Sequence, residues 1–362
     1  MKTESFITNP RNSLRGWYHT QEEIQDAIEN KKILNPMLDL TNACNLNCAY
    51  CYIEEKNSSR KQRRPNELSL EETIRIIDTF YLLGAKTIDL VGAGEPTIDP
   101  HFEEIVQHIH SLGMVTTLFT NGIKVAHDNS RIFTRFLYDK NVTVVLKWNS
   151  IDKYRQDLVA GRTGYYDAIQ DALINLHTIG FAKDVIPTRL GINTIAYKGN
   201  LAELPELHGW CRKNNMFPMT GEFIPTGRTE AGEFVADAAI KNLPMIEQDI
   251  IKKLLVPLDE QDRKWLRMKI TEIDKEFGVV HSDCPSYYGG SICTQQIGLY
   301  VDIEGNIWPC VARGIMHKGV MQSGLLGNVR NGDSIEKIWN THSYFEKIRT
   351  NFNGSCPYKD AL

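Results

Sequence analysis

Residues 40–52 read LTNACNLNCAYCY, with Cys44, Cys48 and Cys51 in a C-x3-C-x2-C spacing. Three thiols so close in the chain must also lie close in space. Soft thiolate ligands select iron–sulfur clusters, zinc or copper. A structural zinc site takes four closed ligands, usually from two C-x2-C pairs. Here three cysteines stand together, and no histidine occurs in the thirty residues that follow. A 4Fe–4S cube held by three cysteines leaves one iron without a protein ligand, a position useful only if something else binds there. A zinc knuckle or a set of unligated thiols is the plainer alternative.

Outward from this stretch the chain alternates apolar runs with amphipathic helical patterns. Strands are expected at 36–41, 87–92, 115–120, 142–148, 188–196 and 218–224, with helices such as SLEETIRIIDTFYLLG and YYDAIQDALINLHTIG between them. Ser69 followed by Glu72 forms a capping box for the first of these helices. Six βα units in series imply a parallel sheet covered by helices, an α/β fold. A partial (β/α)6 TIM-like barrel fits the count, and in barrels the chemistry sits on loops after strands.

Composition adds exclusions. The chain has 362 residues, 42% hydrophobic and 24% charged, with a net charge of −4. No global basic field favours nucleic acid. No apolar run approaches the roughly 20 residues of a membrane span, and the N-terminal stretch is not a signal peptide. A cytoplasmic protein is expected, in which eight cysteines read better as metal ligands than as disulfides.

The cysteine pattern resembles that of the radical SAM superfamily, C-x3-C-x-aromatic-C, with Tyr50 in the aromatic place. The resemblance implies a 4Fe–4S cluster on Cys44, Cys48 and Cys51, whose open iron is chelated by S-adenosyl-L-methionine, and Tyr50 stacked near the adenine. Gly92-Ala93-Gly94-Glu95-Pro96, after the second strand, resembles the family's Gly-Gly-Glu-Pro motif. Its glycines let backbone approach a ligand closely, and Glu95 is a candidate acceptor for the ligand's ammonium. Asn149 or Ser150 occupies the place of a ribose contact, and Lys147 faces the same side as Asn149. Lys147 is read as a ligand or substrate contact or as a solvated rim lysine. Arg162 is a candidate for the ligand carboxylate, Asn193 for a position inside the barrel, and Glu222 and residues 226–228 for further contacts. Asn121-Gly122 is open between a turn and a substrate wall. Cys211 reads as a packed thiol, His108 and His110 as surface residues. The basic residues of 57–67 read as solvated or as a lure for an acidic group.

The remaining cysteines are Cys284, Cys293, Cys310 and Cys356. IGLYVDIEGNIWPC reads as a β-hairpin turning at Glu304-Gly305, followed by a helix in SIEKIWNTHSYFEKIR. This region resembles the SPASM or Twitch extension of radical SAM enzymes, which implies an auxiliary 4Fe–4S cluster on these four cysteines. The shorter, single-cluster Twitch form suits the cysteine count; disulfides or zinc are the alternative. The expected organisation is a lead-in over 1–32, the barrel over 33–228, a helical connector over 229–277 and the auxiliary-cluster domain over 278–362.

The resemblance implies an oxidoreductase that cleaves S-adenosylmethionine to a 5′-deoxyadenosyl radical and takes a hydrogen atom from its substrate, fed by an electron donor such as flavodoxin or ferredoxin. Net oxidation of a polar small molecule (sugar, aminocyclitol or nucleoside) is the favoured expectation. The lead-in is too short to supply the peptide-binding domain that many peptide-modifying relatives carry. Crosslinking or oxidation of a ribosomal peptide is the alternative, and a non-catalytic iron–sulfur sensor or scaffold a third reading of another class.

Overall fold

The computed structural model of the chain describes residues 13–51, 62–183, 186–223, 229–230, 233–234, 243–279, 287–288, 294–311, 314–317 and 320–351. Six parallel strands form its centre: β1 (Met37–Leu38), β2 (Thr87–Leu90), β3 (Val115–Thr120), β4 (Val142–Lys147), β5 (Leu190–Ala196) and β6 (Phe217–Glu222). α1 (Gln21–Glu29) precedes them. The crossovers carry α2 (Leu70–Leu82), α3 (Phe102–Ser111), α4 (Ile123–Ala126), α5 (Ile132–Asp139), α6 (Lys153–Ala160), α7 (Tyr165–Ile179) and α8 (Leu204–Lys213). These strands sit adjacent in chain order, as a partial TIM-like barrel requires.

α2 illustrates why these helices form. Ser69 Oγ accepts from Glu72 N at 3.2 Å while Ser69 N donates to Glu72 Oε2 at 2.7 Å. Thr73, Ile76, Ile77 and Phe80 then fall on one buried stripe at helical spacing. Ile77 and Phe80 meet Ile88 and Leu90 of β2 in the main core.

The sheet does not end with the barrel. β10 (Tyr300–Val301) lies parallel to β1, with Met37 opposite Tyr300 and Leu38 opposite Val301. β11 (Asn306–Trp308) pairs antiparallel with β10, and β14 (Gly327–Asn328) with β11. At the other edge β9 (Tyr287–Tyr288) runs antiparallel to β6. Among the described residues, the C-terminal part thus supplies a strand to each edge of the six-stranded core, which an isolated hairpin reading does not foresee. The hairpin turns at Gly305 (φ 81°), where Asp302 Oδ1 accepts from Glu304 N at 2.9 Å and Asn306 N at 3.0 Å.

Two expectations need correction. β1 is two residues long rather than spanning 36–41: Asp39 N still bonds Val301 O at 3.1 Å, and beyond it Asn42 N turns to the Glu67 side chain at 2.8 Å, where the chain leaves the sheet for the cysteine loop. The connector is not wholly helical: β7 (Thr229–Glu230) and β8 (Glu233–Phe234) pair antiparallel before α9 (Met245–Leu254) and α10 (Glu260–Glu276). A glycine in TEAGEF costs a helix about 1 kcal/mol, and the helical reading gave this too little weight. β12 (Gly314–His317) and β13 (Val320–Ser323) form a separate pair, and α11 (Ile335–Thr341) and α12 (Ser343–Asn351) close the described chain.

The lead-in is built into the barrel. Leu14 bridges to Thr188 ahead of β5. Trp17 packs against Phe119 at 5.8 Å and Phe217 at 5.9 Å between ring centroids. Gly16 lies so close to Thr87, Val115 and Thr117 that an added Cβ would be within about 3.1 Å of each.

Candidate functional site

The cysteine loop is clamped by backbone from two neighbouring loops. Gly94 N donates to Thr41 O and Glu95 N to Ala43 O, both at 2.8 Å. A Cβ on Gly94 would lie 2.0 Å from Ala43 O, so that glycine serves the approach of the cysteine loop itself. Gly92, at φ 78°, makes the turn that brings Gly94 there. From the other side Ala49 N donates to Val159 O at 2.8 Å and Asn47 N to Ala160 O at 3.2 Å. Glu67 adds a third support, accepting from Asn42 N at 2.8 Å.

The basic segment contributes to this clamp. Arg63 pairs with Asp99 at 2.7 Å and Glu67 at 3.2 Å. Its charge is therefore engaged inside the fold, which corrects the reading of a solvated run at this position; Arg60 and Lys61 lie outside the described residues.

Beside the loop lies a cavity of about 360 Å³, a size suited to a small ligand or side chain. Cys44, Cys48 and Cys51 all line it, and all three are partly exposed. No three side chains among the described residues close on a single metal-ion position. A four-iron cube is larger than an ion and asks only that three thiols face a common space, as these do.

Gly92, Gly94, Glu95, Tyr50, Lys147 and Asn193 line the same cavity. Glu95 is 2% exposed. Its Oε1 accepts from Thr120 Oγ1 at 2.6 Å and Thr97 Oγ1 at 2.7 Å, and its Oε2 from Asn121 N at 2.7 Å. Burial pushes its pKa up and these hydrogen bonds pull it down. Only one of these contacts falls on Oε2, so that oxygen keeps an acceptor site. Lys147 Nζ donates to Asn193 Oδ1 at 2.7 Å and stands 5.4 Å from the Tyr50 ring centre. Burial lowers its pKa to about 7, with the charge of Cys48 acting the other way. The buried Tyr50 hydroxyl lies beside Cys48, which adds to burial in pushing its pKa up.

Other expected contacts are turned elsewhere. Asn149 Oδ1 accepts from Ile195 N at 3.0 Å and Ser150 Oγ donates to Glu203 at 2.7 Å; both residues brace the β4–α6 turn and neither lines the cavity. Arg162 Nη1 donates to Asn45 O at 3.1 Å, holding the cysteine loop. Glu222 accepts from the Tyr288 hydroxyl at 2.9 Å. Asn121 resolves as both turn and wall: its Oδ1 accepts from Ile123 N at 3.0 Å and it lines the cavity. Cys211 is a packed thiol whose pKa burial pushes up to about 12. Residues 226–228 and Cys284, Cys293 and Cys356 lie outside the described residues; Cys310, after β11, is partly exposed.

The opposite end of the cavity was not foreseen. Trp17, His19, Asn35 and Asp89 line it. Asp89 is 3% exposed, and Trp17 Nε1 reaches its two oxygens at 3.0 and 3.1 Å. Burial raises its pKa to about 7. An acidic residue inside the apolar run TIDLV was a usable signal for Asp89. The lead-in residues gave none.

The residues present fit the implied cofactors: three partly exposed thiols, a buried acid with acceptor capacity and an aromatic ring line one cavity. The family model of the radical SAM superfamily matches residues 38–196, and that of the SPASM iron–sulfur cluster-binding domain matches 293–358. The mycofactocin maturase MftC of Mycobacterium tuberculosis is 24% identical over 332 residues, covering 89% of this chain and 75% of MftC. The sporulation killing factor maturation protein SkfB of Bacillus subtilis is 24% identical over 290 residues, covering 79% and 62%. Among solved structures, Streptococcus suis SuiB bound to precursor peptide SuiA superposes with a TM-score of 0.56 at 15% identity, covering 91% of this chain and 70% of SuiB. The chain carries a radical SAM domain over residues 38–196 and a SPASM iron–sulfur domain over 293–358, and is a radical SAM enzyme whose cofactors are S-adenosylmethionine and 4Fe–4S clusters.

Proposed function

We propose that this enzyme modifies a ribosomally made peptide, by hydrogen abstraction from one of its residues with net oxidation. The observation that carries the choice of substrate is the similarity to maturation proteins along most of the chain. It favours the peptide over the sugar, aminocyclitol or nucleoside first expected. The lead-in, which had argued against a peptide, closes the cavity floor instead and says little about how a substrate is recruited.

Cys44, Cys48 and Cys51 would hold the catalytic cluster, and Cys284, Cys293, Cys310 and Cys356 one auxiliary cluster in the shorter Twitch-like form. When bound, these groups with S-adenosylmethionine supply a 5′-deoxyadenosyl radical and an electron acceptor. The protein's own residues position and shield. The clamped cysteine loop is fixed in place by backbone bonds before any ligand arrives. Glu95, which lines the cavity and has an acceptor site left on Oε2, would accept from the ligand's ammonium, with Tyr50 and the Lys147–Asn193 pair lining the same cavity. Trp17 seals the far end against water. Chain organisation follows the same division, with the barrel ending near 228 and the auxiliary-cluster part starting near 278.

The test is co-expression with short open reading frames encoded beside the gene. Mass spectrometry should find a peptide lighter by two hydrogens, dependent on Cys44. Turnover of a sugar, aminocyclitol or nucleoside, with every such peptide unchanged, would overturn the reading.

A further inference from the structure

We infer that the cavity floor is a subsite for a primary ammonium group of the substrate, bound by Asp89, Asn35 and His19. Its assignment to a lysyl side chain rests on the peptide reading above; the ammonium itself does not.

Asp89 is the anchor. It is 3% exposed and lines the cavity. Among the described residues no lysine or arginine pairs with it, and the groups that face its oxygens are neutral: the Trp17 indole at 3.0 and 3.1 Å and the side chains of Asn35 and Thr117. A buried carboxylate without a cation is costly, and a cation arriving from the cavity removes that cost. Its two neighbours point the same way. Asn35 is 1% exposed, its side chain lies against the Asp89 carboxylate and its Oδ1 has no hydrogen-bond partner among the described residues; His19 is 5% exposed with Nε2 likewise unpartnered. Buried polar atoms are ordinarily satisfied, and here three such side chains converge on one space.

Their chemistry selects the ligand. An ammonium has three N–H donors and no acceptor. The floor offers matching acceptors: a carboxylate oxygen of Asp89, Oδ1 of Asn35, and Nε2 of His19 in the tautomer protonated at Nδ1. Burial lowers the His19 pKa to about 4, so the ring is neutral and able to accept. The nearby charges Glu23 and Lys86 engage each other in an ion pair and leave the floor without a competing cation. A carboxylate ligand would meet Asp89 with like charge, and a neutral amide would leave that charge uncompensated. Above the floor Phe119, Val145, Ile195 and Met219 give the cavity apolar walls, suited to the methylene stem of a lysine. Asp89 and Val91 both line the cavity, one strand repeat apart, so a stem anchored at Asp89 runs toward the cysteine end.

The experiment uses reconstituted enzyme saturated with S-adenosylmethionine, with probe binding followed by ligand-observed NMR. n-Butylamine should bind about tenfold or more tightly than butyramide, and butyrate should not compete. Nα-acetyl-lysine amide should bind better than Nα-acetyl-norleucine amide by a similar factor. Asp89→Asn should weaken both amines about tenfold or more and change butyramide by less than about threefold. Equal binding of amine and amide by the wild-type enzyme would overturn the subsite, and so would a folded Asp89→Asn that keeps its amine affinity. The wild-type ranking needs no variant. Binding of n-butylamine with exclusion of acetyl-lysine amide would keep the subsite and count against the peptide reading. Failure of both amines would remove the subsite and leave the peptide reading to its own mass-spectrometric test.

Discussion

The two ends of the cavity treat their polar groups in opposite ways. At the cysteine end the backbone of the loop is engaged within the protein: Gly94 and Glu95 hold Thr41 and Ala43, Val159 and Ala160 hold Ala49 and Asn47, and Glu67 holds Asn42. At the floor Asn35 and His19 keep unpartnered atoms among the described residues, and Asp89 meets neutral groups alone, the Trp17 indole and the side chains of Asn35 and Thr117. The first arrangement fixes a loop rigidly for a cofactor common to the superfamily. The second leaves unmet demand, which is what a site for one particular substrate looks like before that substrate binds. The same physics, the cost of burying an unsatisfied polar group, is discharged internally at one end and reserved for a ligand at the other.

The contrast can be broken most sharply at Gly94. A methyl group there collides with Ala43 O and displaces the cysteine loop. Gly94→Ala should cost about 2–4 kcal/mol through overpacking and loss of the two 2.8 Å backbone bonds, with a matching fall in iron content. Chemical denaturation and iron analysis check this; a variant with wild-type stability and iron would mean the loop is not held as described.

Glu95 stands between the two regimes, since it is bonded within the protein and still keeps acceptor capacity. Glu95→Gln should lower S-adenosylmethionine affinity by about ten- to a hundredfold with iron content unchanged. Calorimetry showing unaltered affinity would make Glu95 a turn residue only, an N-cap of the Pro96–Ile98 turn.

The floor predicts a pH effect. Burial raises the Asp89 pKa from 3.8 to about 7, so the folded state binds the proton more tightly than the unfolded one. The resulting penalty is absent below about 4, grows as pH rises and is complete above about 7. Asp89→Asn should therefore gain stability relative to wild type by about 2 kcal/mol between pH 5 and pH 8. A pH-independent difference between the two proteins would show that Asp89 carries no such penalty.

How far the sequence revealed all this follows the same division. The cysteine loop was legible because cluster chemistry demands thiols at short, fixed spacing, and β3 at Val115–Thr120 was read at its true bounds. Glycines in GAGEP signalled close approach, but to what was hidden: the partner is Ala43 O. Asn149, Ser150 and Arg162 each make a bond that braces the fold, a role that polar residues after strands fill as readily as ligand contact and that their place in the sequence does not reveal. The floor was illegible because it joins residues far apart in the chain, Trp17 and Asp89 being 72 positions apart. The hairpin of β10 and β11 was read from the sequence, but the pairing of β10 with β1 and of β9 with β6 was hidden for a similar reason, since pairing across such separations leaves no local periodicity.

The central claim is that the cysteine end performs the cleavage of S-adenosylmethionine. The direct test compares reconstituted, reduced wild type with the triple variant Cys44→Ala, Cys48→Ala, Cys51→Ala, measuring iron and 5′-deoxyadenosine. Wild type should carry about eight irons as two 4Fe–4S clusters and release 5′-deoxyadenosine. The triple variant should keep about four and release none, whereas 5′-deoxyadenosine formed by the variant would contradict the account.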